Sequence, residues 1–291
     1  MIALAAGEGT AVALRFLVYL DLLLVAGLLL CARRTVPDEM PARWIAGLAA
    51  TGAVFAIAQL FTTALAMTGG DVSVLDAEIL RFIAVETPAG LSGIARFALL
   101  AMLAMAAIYA PAARVPQLLL ALAALATLAW TGHAGASEGS TGTIHRTSDV
   151  LHLIAAAAWL GTLALLLRAL IRPNMPTEGL VAALHRFALI GTLIVGTLIV
   201  TGIVNLWAIT GLASLPELAA SPYGRALGLK LALFAAMLGF AAFNRWRLVP
   251  RLESAPPSAA KALRASVTLE TALAIGVIGV VALLGTLAPG A

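Results

Sequence analysis

One cysteine, four histidines and 11% charged residues are little for a chain of 291 residues. A lone Cys31 excludes an intrachain disulfide framework and a cysteine-based metal cluster. So few acids and bases cannot clothe a water-facing surface, which excludes an ordinary soluble domain. No polar stretch is long enough to fold as a separate soluble unit. The apolar runs do not alternate with a period of two, so membrane strands are excluded as well. There is no nucleotide-binding motif, and no set of residues reads as catalytic. The pI near 9.8 does not mark a nucleic-acid binder, because basic residues of membrane proteins collect in cytoplasmic loops.

What remains is apolar: 62% of residues are hydrophobic and the mean hydropathy is +1.03. A membrane helix needs roughly 20 mostly apolar residues. Eight segments meet that requirement: 10–32, 43–66, 91–111, 115–132, 145–171, 182–210, 224–244 and 262–287. The sequence therefore predicts an all-α polytopic membrane protein with eight transmembrane helices. Met1 to Thr10 lacks a basic n-region, and the first apolar run stops at Arg33-Arg34. That predicts a spanning helix rather than a cleaved signal peptide. The more polar 71–90 predicts a short amphipathic helix over Ile79–Val85 on the outer surface, and 250–260 reads as a plain connector.

Loops after the odd-numbered helices carry twelve of the eighteen Lys and Arg residues, among them Arg33, Arg34, Arg114, Arg168, Arg172, Arg245 and Arg247. The opposite loops carry acids such as Asp71, Asp76, Glu78, Glu86 and Glu217. The positive-inside rule then predicts both termini outside, which in a bacterium is the periplasm. Trp44 and Trp246 fall at inner helix ends and Trp130 and Trp207 near outer ends, as interfacial tryptophans do.

The chain also resembles itself. Thr87-Pro88-Ala89-Gly90 followed by Arg96 aligns with Ser221-Pro222-Tyr223-Gly224 followed by Lys230, at an offset of 134. The same offset carries Gly27 onto Gly161 and Arg34 onto Arg168. This predicts a parallel 4+4 repeat, residues 1–132 and 133–291, related by an axis along the membrane normal.

Three of the four histidines lie together between the fourth and fifth segments. His145, Asp149 and His152 are spaced i, i+4, i+7, so a helix presents them on one face. Imidazole and carboxylate at that spacing can bridge a metal ion. His145 and His152 are about 10 Å apart along a regular helix, too far for one ion. The spacing thus predicts two sites in series: His133, His145 and Glu138 at the outer mouth, then Asp149 and His152 deeper. Neutral imidazole is the competent ligand, so binding should weaken near pH 5–6. Thioethers suit Cu(I), but Met67, Met102, Met105 and Met237 read as packing residues. The buried charges Arg15, Asp21, Arg96, Lys230 and Glu270 predict mutual pairing, Asp21 with Arg15 or Arg96 and Lys230 with Glu270, or a polar path.

Four motifs follow in order: the stretch from His152 to Trp159-Leu160-Gly161, then Thr201-Gly202-Ile203-Val204-Asn205, Ser221-Pro222-Tyr223-Gly224-Arg225 with Lys230, and Asn244-Arg245-Trp246-Arg247-Leu248-Val249-Pro250. Together they resemble the copper resistance protein D family of inner-membrane proteins. The resemblance implies copper, as Cu(I) or Cu(II), taken from periplasm to cytoplasm, often with a periplasmic copper carrier of the CopC type. It points to His152 first. The expectation is a non-enzymatic copper transporter resident in the lipid bilayer. The alternatives are a haem b electron carrier and a copper-delivery partner that does not conduct.

Overall fold

The computed structural model describes residues 6–35, 41–132, 135, 139–172, 177–211, 218, 220–254 and 256–288. Every regular element among them is helical. The helices are α1 (Ala6–Thr35), α2 (Ala42–Met67), α3 (Ala77–Glu86), α4 (Pro88–Tyr109), α5 (Arg114–Ala126), α6 (Gly139–Ile171), α7 (Thr177–Thr210), α8 (Pro222–Phe243), α9 (Val249–Ser254) and α10 (Pro256–Leu284). Short 3-10 turns cover Val72–Val74 and Thr127–Trp130, and a π-helical turn covers Asn244–Leu248.

Among the described residues seven helices are long and apolar enough to cross a membrane: Gly9–Cys31, Ala42–Met67, Pro88–Tyr109, Gly139–Ile171, Val181–Thr210, Pro222–Leu252 and Ser258–Leu284. The segment expected as a fourth span is shorter, an apolar Arg114–Trp130 whose last turn tightens into 3-10 geometry. Two boundaries also differ from expectation. The helix bearing His145 starts at Gly139, so His145 lies inside it. The connector 250–260 is mostly helical, as α9 and the start of α10.

Helix starts follow local chemistry. Thr87 and Ser221 each precede a proline at the first helical position, and their hydroxyls accept from the Gly90 and Gly224 amides at 3.0 Å. This serves one orphan donor at each helix start, where proline lacks its own N–H. Asp76 caps α3 the same way, accepting from the Ile79 amide at 2.8 Å. α3 leaves Leu80, Phe82 and Val85 exposed and buries Ile83. Asp71, in the preceding loop, accepts from the Ser73 hydroxyl and amide, which holds its carboxyl below the usual range.

The core runs along the crossing of α1 and α6, the two most intimately packed helices. A Cβ at Gly27 would overlap the Ala157 carbonyl, and one at Gly161 would overlap the Gly27 backbone. Only glycine lets the two backbones come this close, which is how small residues drive helix association in lipid. α2 packs on α4, α7 on α6, and α8 on α10. Large apolar residues such as Val54, Met102, Ile108, Leu193 and Ile203 point outward, as a hydrocarbon solvent requires. Trp44, Trp130, Trp207 and Trp246 are exposed, whereas Trp159 is buried.

Candidate functional site

A cavity of about 180 Å³ opens where α1, α6, α7, α8 and α10 meet. Helical periodicity brings His145, Asp149 and His152 of α6 onto it together, with Arg15 and Tyr19 from α1, Asn205 from α7 and Lys230 from α8. His145 is only 2% exposed.

α7 fixes the orientation of the α6 side chains. Thr201 and Asn205 are one turn apart, so they share a face. Asn205 Nδ2 donates to Asp149 Oδ1 at 3.2 Å. Ser148 Oγ donates to the Thr201 carbonyl at 3.2 Å. The His152 Nδ1 lies 2.8 Å from Thr201 Oγ1, and that hydroxyl donates to the Thr197 carbonyl at 2.5 Å. A hydroxyl has one proton to give. With that proton spent on Thr197, Thr201 accepts from His152, so Nδ1 carries the imidazole hydrogen. Nε2 then keeps its lone pair, the form a metal ligand needs.

The electrostatics are mixed. Asp149 is within electrostatic reach of Lys230, and Arg15 lines the same cavity. Two cations thus line the cavity with Asp149, and Lys230 is the one that acts on the carboxylate. Among the described residues no three His, Cys, Asp or Glu side chains converge tightly enough to hold one ion. His133 and Glu138, expected at the mouth, lie outside the described residues. Met102 and Met105 are exposed, away from the cavity, while Met237 lines an adjoining apolar cleft of about 400 Å³ that His152 and Lys230 also border. His145 and His152 stand on one helix, and the exposed His185 lies sixteen residues from Thr201, the partner of His152. Axial haem ligation from facing helices therefore has no pair among these three described imidazoles.

The expected ion pairs do not form as drawn. Glu270 accepts from Trp159 Nε1 at 3.1 Å and Asn244 Nδ2 at 3.0 Å, not from Lys230. Asp21 Oδ2 has no hydrogen-bond partner among the described residues. The Glu270–Trp159–Asn244 group is a second buried polar site, roughly 10 Å further along α6 than His152. Its signals were present in sequence as an acid in an apolar run and as Trp159 and Asn244 of the recognised motifs. Only packing could connect them across 111 positions.

Two family profiles cover most of the chain. Residues 181–284 match copper resistance protein D, and residues 5–143 match the copper resistance protein D-like N-terminal domain. The chain belongs to the copper resistance protein D family. It is 36% identical over 162 residues to "Copper resistance protein D" of Pseudomonas syringae pv. tomato, covering 52% of each chain. It is 35% identical over 155 residues to "Inner membrane protein YebZ" of Escherichia coli (strain K12), covering 53% of this chain and 52% of the relative. The chain thus matches about half the length of these curated relatives. No solved structure matches it. Family and apolar helices together make it a multi-pass inner-membrane protein.

Proposed function

We propose that this member of the copper resistance protein D family carries copper across the inner membrane, from periplasm to cytoplasm, without catalysis. The observation that carries the reading is His152, whose Nδ1 is held by Thr201 on a buried cavity that Asp149 also lines. Copper would meet His133, His145 and Glu138 first, then Asp149 and His152, in two successive small ligand sets. Weak, serial ligation suits an ion that must leave as well as bind.

The same reading takes eight spans, both termini periplasmic and a parallel 4+4 repeat. The α5 segment, at about 27 Å with its 3-10 turn, is close to the ~30 Å of a bilayer core. The meeting of Gly27 with Gly161 supports a local two-fold axis, and the matched Thr87 and Ser221 caps support the repeat. A periplasmic carrier of the CopC type is the partner that fits an outward mouth.

The test is copper content and copper flux in proteoliposomes, wild type against His152→Ala. We expect both to fall in the variant. Unchanged binding and flux would overturn the site, and bound copper without flux in the wild type would make the protein a delivery partner.

A further inference from the structure

A second cavity, of about 280 Å³, lies on the far side of Arg15, among α1, α2, α4 and the Thr127–Thr131 turn. Its polar lining is Arg15, Gln59, Thr63, Thr87, Arg96 and Thr131. No carboxylate lines it among the described residues. Arg96 is 1% exposed. Its Nε donates to Thr127 Oγ1 at 2.9 Å and its Nη1 to Gln59 Oε1 at 2.7 Å, both neutral acceptors. Its Nη2 has no partner among the described residues. A guanidinium stays protonated in proteins, and a buried charge in a membrane calls for compensation. Yet the ionisable groups within its electrostatic reach are Tyr19 and a second cation, Arg15.

The start of α4 adds to the same bias. Thr87, Pro88 and Ala89 of its first turn line the cavity, so the positive end of a 22-residue helix faces it. The offset of 134 sharpens the contrast. It carries Arg96 onto Lys230 and Arg15 onto Asp149. The second half sets a base beside an acid, and the first half sets two bases together.

We propose that this first-half cavity binds a phosphate-type oxyanion, either free in the periplasm or as the headgroup of an anionic phospholipid. Arg96 Nη2 and Arg15 are the charged donors, and the Thr63, Thr87 and Thr131 hydroxyls are neutral neighbours. The volume holds such a group with several waters, each occupying about 30 Å³. Because Arg15 borders both cavities, the bound anion offsets one of the two cations that line the cavity of Asp149 and His152. That consequence rests on the copper reading; the anion site does not.

The test uses the full chain in nanodiscs, without copper. Inorganic phosphate binding is measured in phosphatidylcholine discs, and retention of phosphatidylglycerol is measured by native mass spectrometry in mixed discs. Binding of inorganic phosphate supports a soluble anion, and selective retention of phosphatidylglycerol supports a lipid headgroup. In either arm Arg96→Gln should weaken binding at least tenfold, with Arg96→Lys intermediate. Arg15→Gln, which leaves the buried guanidinium network intact, should also weaken it and guards against a misfolded Arg96 variant. Absence of binding in both arms, or affinity unchanged in Arg96→Gln and Arg15→Gln, overturns the proposal.

Discussion

Replacing Gly161 by alanine sets a methyl 2.6 Å from the Gly27 Cα and onto its carbonyl group, where ordinary contact needs 3.4–4 Å. The obstacle is backbone, so no side chain can swing aside. α1 and α6 must part by close to 1 Å at their crossing. A gap of 0.5–1 Å already forfeits a quarter to a half of each dispersion contact. Overpacking of this kind usually costs about 1–3 kcal/mol, and we expect about 2 kcal/mol for Gly161→Ala. Gly27→Ala should cost about the same, since its methyl meets Gly161 N and Ala157 C at 2.9 Å. The double variant should cost well under the sum, because helices parted by the first methyl leave room for the second. The assay is denaturant unfolding in mixed micelles, read through the fluorescence of Trp159, which lies on α6 beside the crossing. Strictly additive effects, or single variants as stable as wild type, would refute the close crossing.

Thr201→Val removes the acceptor that orients His152, and loss of such a partner typically weakens metal affinity 10–100-fold; copper titration of the purified variant checks it. Glu270→Leu strands the Trp159 and Asn244 donors. Hydrogen bonds inside membrane proteins average ~0.6 kcal/mol, so the expected loss is roughly 1 kcal/mol, with Glu270→Gln milder; unfolding midpoints decide. Met102→Leu and Met105→Leu, at exposed apolar positions, should leave copper binding unchanged, and a fall in affinity would reassign them as ligands.

Much of the fold can be read from the sequence because hydrocarbon demands long apolar helices, and seven such helices are present among the described residues. The fourth segment was harder, since apolar composition alone does not reveal the 3-10 tightening at Thr127–Trp130. The i, i+4, i+7 spacing sufficed to bring His145, Asp149 and His152 to one cavity, because periodicity is a local property. Their partners Thr201 and Asn205 appeared only as motif residues; their roles depend on how α7 lies against α6. The charge pairings were misdrawn for the same reason. Opposite charge alone pairs Lys230 with Glu270, but helix rotation turns Glu270 toward Trp159 and Asn244 and leaves Lys230 by Asp149.

The most direct measurement is X-ray absorption spectroscopy of copper bound to the purified chain, wild type beside His152→Ala and His145→Ala. The expected result is a coordination shell of nitrogen and oxygen that loses imidazole scattering in each variant. A sulfur-dominated shell, or an imidazole signal indifferent to both substitutions, would contradict it.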